Sequence, residues 1–189
     1  MAIANEELRE RILHATYDCI ARWGVARTSV EDAASEAGVS RATMYRYFPG
    51  GREQLLHAVV EWEYGRFFQR LYDAVHDAST LEEVIERGLR YAHRAIAEHE
   101  VLQVVLKTEP ELLGVTLSGE SATTLELIAG FLTPYLEHHE LRDGVVVAEA
   151  ADYLARMVLS YMGAPGRWDL DDPVQVAELV RVELLAGIV

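Results

Sequence analysis

The stretch that decides the fold is Thr28-Ser29-Val30-Glu31-Asp32-Ala33-Ala34-Ser35-Glu36-Ala37-Gly38-Val39-Ser40-Arg41-Ala42-Thr43-Met44-Tyr45-Arg46-Tyr47-Phe48. Its first half spaces Val30, Ala33, Ala34 and Ala37 at helical intervals and keeps that face small. Thr28 with Glu31 fits a capping box, in which hydroxyl and carboxylate each satisfy a free backbone donor. Gly38 supplies a residue tolerant of positive φ, and Val39 can plug the angle that follows. Ser40 then caps a second short helix, Arg41 to Phe48, anchored inward by Met44 and Phe48. Two short helices joined by a tight glycine turn make a helix-turn-helix. The outer side of the second helix carries Arg41, Ala42, Thr43, Tyr45, Arg46 and Tyr47. Arginine can bond guanine twice, a methyl can meet thymine, and hydroxyls can bond phosphate oxygens. The free amides at both helix starts favour phosphate as well. A packed helical hairpin with a solvated basic face is the bland alternative.

Working outward, helical spacing continues in both directions. Leu8, Ile12, Thr16, Cys19 and Trp23 mark a first helix over about residues 5–23, with Leu13 and Ile20 widening its face and Gly24 at its C-terminal cap. After Pro49-Gly50-Gly51 a long helix is expected over residues 53–75, with Leu56, Val60, Tyr64, Phe67, Leu71 and Val75 on one side. Further helices are expected over 81–98, 101–107, 117–139, 145–162 and 173–186. Pro134 should bend the fourth of these six, and Asp172-Pro173 should start the last. About nine helices and no strand alternation predict an all-α protein. The expected domains are a three-helix helix-turn-helix head, residues 1–52, and a helical ligand-binding and dimerisation bundle, residues 53–189.

The net charge of −14 looks wrong for a DNA binder until it is divided. Residues 1–52 hold seven arginines against seven acids, so all the excess acid lies beyond residue 52. Between Ser40 and Arg52 stand Arg41, Arg46 and Arg52 with no acid. Attraction to DNA depends on the local patch that meets phosphates. The single cysteine, Cys19, rules out an internal disulfide and a cysteine-rich zinc site. No apolar run is long enough to cross a bilayer and no apolar leader precedes the first helix, which predicts a cytoplasmic protein without membrane attachment. His138-His139-Glu140 reads as surface, because adjacent helical side chains point about 100° apart. His93 and His99, near Glu98 and Glu100, read the same way. With no nucleophile–base constellation, no metal set and no cofactor motif, an enzyme is not expected.

The run Thr28 to Ala34, then Ala37-Gly38-Val39-Ser40, then Thr43 to Phe48 strongly resembles the tetracycline-repressor (TetR) family of bacterial regulators. Ala21-Arg22-Trp23-Gly24 resembles the end of that family's first helix, and the close match spans about residues 8–56. The resemblance implies a homodimer whose heads dock in successive major grooves of a palindromic operator in double-stranded DNA. It implies that Arg41, Ala42 and Tyr45 face bases, and that Thr43, Arg46 and Tyr47 hold phosphates with Ser40 nearby. Two departures stand out. Gly51 occupies the place of a customary lysine, with Arg52 as a shifted stand-in for its phosphate contact. Val30 stands where some relatives place a phosphate-binding threonine, with Ser29 or a backbone amide as the substitute.

The resemblance further implies a small-molecule pocket in the C-terminal bundle. Aromatic and adaptable side chains there point to an apolar or aromatic ligand, with Trp62, Tyr91, Leu125, Tyr153, Met157 and Tyr161 as candidate walls. Plain core is the competing role for each of them. The last two helices carry Val146, Ala150, Tyr153, Leu154, Met157, Val158 and Tyr161, then Val176, Leu179, Val180 and Leu184, which suit a four-helix dimer interface. The function expected is a ligand-responsive transcriptional repressor. The alternatives are a helical DNA-associated architectural or protein-interaction module without ligand response, and an enzyme on a helical bundle.

Overall fold

A computed structural model describes residues 2–108 and 122–189. The described residues form nine α-helices and no strand. They are α1 (Ala2–Trp23), α2 (Val30–Glu36), α3 (Arg41–Tyr47), α4 (Gly51–Val75), α5 (Leu81–Glu98), α6 (Glu100–Thr108), α7 (Ala122–Glu137), α8 (Val147–Gly163) and α9 (Pro173–Leu179), which runs on as a π-turn over Val180–Leu184. The part of the expected seventh helix before Ala122 lies outside the described residues.

Packing divides the described chain into two compact units. The first takes in residues up to Phe67 together with His99 to the end of α6; the second takes in Phe68–Glu98 and everything from α7 onward. This differs from a boundary after residue 52. Helix α4 runs unbroken through that point, and its Leu55, Ala58 and Val59 are buried in the first unit.

In the first unit α1 buries Ile12, Leu13, Ala15, Thr16, Cys19 and Ile20. Trp23, expected on that face, is 44% exposed. Helix α2 has seven residues, too few to persist alone in water. It survives by burying Val30, Ala33 and Ala34 and packing on α1, and by being closed at both ends. Its C-terminus is a Schellman motif: Val39 N–H donates to Ala34 O at 2.9 Å and Gly38 N–H to Ser35 O at 3.2 Å, with Gly38 at φ 65°.

Its N-terminus starts one residue later than expected. Ser29, not Thr28, is the cap, and Asp32, not Glu31, closes the capping box. Thr28 is 2% exposed and donates its hydroxyl to Gly24 O at 2.8 Å, so it ties the loop instead. A second register difference follows Pro49. In its first turns α4 buries Leu55, Ala58 and Val59 and leaves Val60 53% exposed, whereas farther along Leu71 and Val75 are buried as expected. Helix α6 packs on α1. His99 caps it, its Nδ1 accepting from Leu102 N–H at 3.0 Å while Nε2 lies 3.2 Å from Glu63. Burial alone would raise the Glu63 pKa, but His99 and Arg66 outweigh it and hold the carboxyl below its ordinary value.

The second unit has a large apolar core near its C-terminus. It is built from Leu81, Ile85 and Leu89 of α5, Leu132 and Leu136 of α7, Ala150, Ala151 and Leu154 of α8, and Val176, Leu179, Val180, Leu184, Leu185 and Ile188 at the C-terminus. Each fully buried leucine contributes roughly 1.5–3 kcal/mol relative to exposure. Asp172 caps α9, its carboxylate accepting from Val174 N–H at 2.9 Å, and Pro173 occupies the first turn. The expected single helix 173–186 instead widens after Leu179, where Leu185 N–H donates to Val180 O at 2.8 Å.

Candidate DNA-binding surface

Helix α3 is positioned from both ends. Ser40 Oγ accepts from Thr43 N–H at 3.1 Å and lies 3.0 Å from the Thr43 hydroxyl. Met44 and Phe48 are 1% and 3% exposed, which anchors the helix by its inner edge. Arg41, Ala42, Tyr45 and Arg46 are thereby left exposed, with Thr43 and Tyr47 half-buried. The Arg41 guanidinium lies over the Tyr45 ring at 5.5 Å and the Arg46 guanidinium over the Tyr47 ring at 5.4 Å. Arg41 also pairs with Glu31 of α2 at 3.0 Å. Its pKa lies above the ordinary arginine value, through a hydrogen bond with Tyr45 and the charge of Glu31. The Tyr47 hydroxyl donates to Asn5 Oδ1, which links α3 to the start of α1.

Two expected phosphate contacts look different in space. Ser29 Oγ accepts from Asp32 N–H at 3.1 Å and donates to the Asp32 carboxylate, so its hydroxyl serves the cap. Arg52 does not reach outward as a lysine substitute: Nε donates to Thr28 O at 2.8 Å and Nη2 to Val25 O at 2.5 Å. Those carbonyls belong to the loop between α1 and α2, where Val25 O also accepts from Thr28 N–H at 3.2 Å, so the guanidinium ties the two parts of the loop together. Gly51 sits at φ 68°, its N–H donating to Phe48 O at 2.9 Å. A lysine in that left-handed conformation would be strained, which accounts for its absence.

Sequence spacing missed two contacts, Glu31–Arg41 and Asn5–Tyr47. Glu31 and Arg41 stand ten positions apart on different helices, and Asn5 and Tyr47 forty-two apart. No local rule links such pairs. Among the described residues no group of three or more histidine, cysteine or acidic side chains is placed to hold a metal ion. No helix among them is long and apolar enough to cross a membrane.

This surface has a known counterpart. Residues 12–59 match the family model for bacterial regulatory proteins of the tetR family. The head of this chain is therefore similar to that of tetR-family DNA-binding transcriptional regulators. An HTH-type transcriptional regulator of Mycobacterium tuberculosis is 28% identical over 176 residues, covering 93% of this chain and 85% of the relative. The TetR family repressor AlkX from Dietzia, implicated in biodegradation of n-alkanes, superposes with a TM-score of 0.65 at 21% identity, over 95% of this chain and 96% of the other. The regulator FadR from Bacillus subtilis, solved in complex with stearoyl-CoA, gives 0.57 at 23% identity, over 95% and 99%. At these identities the structural likeness shows the fold.

Beyond the matched head, the six candidate pocket residues have separate duties. Trp62 belongs to the first unit, edge-on to His14 and Tyr17 at 5.9 and 6.2 Å, with Arg66 over its ring at 4.5 Å. The others belong to the second unit. Leu125 is 7% exposed. Tyr91 hydrogen-bonds Arg70, yet burial keeps its pKa above the ordinary tyrosine value. Met157 packs on the core. Tyr153 donates its hydroxyl to Glu183 O at 2.8 Å, and Tyr161 donates to the Glu183 carboxylate. Arg167 and Trp168 donate to the same carboxylate, at 3.0 and 3.2 Å. Tyr153 and Tyr161 therefore meet at Glu183.

The expected dimer face also divides. Ala150, Leu154, Val176, Leu179, Val180 and Leu184 are all at most 5% exposed and fill the unit's own core. A partner can therefore reach only the outward set. Val146, the extended residue that precedes α8, and Tyr153 of α8 are 52% and 41% exposed. Val174 and Val182, 75% and 41% exposed, add apolar surface from the C-terminal segment.

Proposed function

We propose that this protein is a repressor that binds a palindromic operator as a homodimer and is released by a small apolar or aromatic ligand. The observation that carries the DNA reading is the α3 surface, where Arg41, Ala42, Tyr45 and Arg46 stand exposed on a helix anchored by Met44 and Phe48. Arg41, Ala42 and Tyr45 face base edges, while Thr43, Arg46, Tyr47 and Ser40 serve phosphates. Ser29 and Arg52 act behind this surface by shaping the loop and cap that present it. The functional head is residues 1–52 with the start of α4 as its base, and residues beyond it carry ligand binding and dimerisation.

The homodimer forms through the outward apolar residues of α8 and α9. The ligand site belongs to the bundle beyond the head, and the regulator solved with stearoyl-CoA supports an apolar ligand. Selection of bound duplexes from a random pool tests the reading. Two enriched half-sites about 34–36 Å apart are expected, with Arg41→Ala costing about 1–3 kcal/mol and relaxing one position. Binding that falls with salt and enriches no sequence would instead favour an architectural module.

A further inference from the structure

The three acids of α2 have different employments. Asp32 closes the capping box on Ser29, and Glu36 bonds both terminal nitrogens of Arg22 at 3.0 and 2.9 Å. Glu31 would have had a structural duty as a capping-box partner of Thr28, but the helix starts at Ser29 and leaves it free of that duty. Its carboxylate is instead 3.0 Å from Arg41 Nη1, on the side of the head that carries the reading helix. Both side chains are more than half exposed, at 67% and 54%, so the pair contributes little to stability. Its geometric effect is larger. The Tyr45 ring bounds the Arg41 guanidinium on one face, and Glu31 fixes one of its terminal nitrogens. An arginine gripped at two points enters a groove with less rotamer freedom to lose. A carboxylate at the same place also repels phosphates that approach in a register where Arg41 finds no base.

We propose that Glu31 is a positioning residue for sequence reading: it aims Arg41 at base edges and penalises binding to duplexes that offer Arg41 only phosphate. This rests on the reading of Arg41 as a base-contacting residue.

The test measures affinity for the selected operator and for a scrambled duplex, each over a salt series. The proteins are wild type, Glu31→Gln, Arg41→Ala and the double variant, with Glu53→Gln as a control for loss of one exposed head carboxylate. Glu31→Gln is expected to tighten scrambled-duplex binding and to lower the operator-to-scrambled ratio by ~5-fold, whereas Glu53→Gln leaves the ratio unchanged. The double variant is expected to match Arg41→Ala alone, because Glu31 acts through Arg41. If Glu31→Gln changes both duplexes by one factor, or if the two substitutions lower the ratio independently, the proposal is overturned. If Arg41→Ala leaves the ratio intact, the base-reading role of Arg41 falls, and the proposal with it.

Discussion

The α2–α3 surface and the Glu183 knot are both built from charged and aromatic side chains, yet they use them in opposite ways. On the surface, Arg41, Tyr45 and Arg46 are exposed, and their contacts are with one another, with Tyr47 and with the solvent-exposed Glu31. Around Glu183, two tyrosines, an arginine and a tryptophan all donate to one residue, which leaves them committed to the fold. The difference lies beneath them. Helices α2 and α3 are held by caps and by small or inward-facing anchors, which leaves the outer face free. The π-turn that holds Glu183 is flanked by Val180 and Leu184, both fully buried, so it is locked into the core. An arginine or tyrosine is available to a partner only where other residues carry the packing.

The strongest way to break that contrast is in the core beneath the knot. Leu179→Ala removes a fully buried side chain and should cost about 3 kcal/mol in urea unfolding of the second unit. A loss under 1 kcal/mol would show that the knot, not the core, holds the C-terminus. Next comes Arg52. Arg52→Ala should lower the stability of the head by about 1–2 kcal/mol through two lost bonds to carbonyls, while leaving the salt slope of DNA binding unchanged. A slope smaller by about one unit would restore Arg52 as a phosphate contact. Ser29→Ala should cost about 1 kcal/mol, and Glu31→Ala clearly less, in thermal melts. The reverse order would return the cap to Thr28 and Glu31.

The smallest effect is at the knot itself. Tyr161→Phe should cost about 1 kcal/mol or less, given the partial exposure of the pair. The hydrogen bond to Glu183, with burial, pushes the Tyr161 pKa up to about 12 from 10.0. A raised tyrosine pKa means that the stabilisation is full below pH 10 and is lost as pH rises toward 12. Glu183 is held below its ordinary 4.5, first by Tyr161, so its share is full above that value and fades as acid is added. Stability profiles of wild type and Tyr161→Phe should therefore diverge most between these limits and converge beyond them. Parallel profiles would remove the bond from the account.

The head was legible because its signals are short-range. Gly38, Ser40, the alanines of α2 and the Met44–Phe48 anchor each act within one or two turns of their own helix, and each lies where its spacing placed it. Errors of one residue entered where two neighbours compete for one role, as with Thr28 and Ser29 at the cap. The second unit yielded its helices from periodicity but not the duties of its side chains. Leu154, Leu179, Tyr153 and Tyr161 share a pattern that fits core, pocket and interface alike, because periodicity records a face and not what covers it.

By itself, the sequence determined an all-helical chain with a glycine-turned reading head and an exposed basic helix. Those properties follow from caps, turn residues and 3.6-residue spacing, all of which are local. Only the tertiary structure decided that Arg52 binds carbonyls, that Glu31 meets Arg41 across ten positions, and that Glu183 gathers four donors. Such pairings depend on where separate helices come together, and no window of sequence contains that distance.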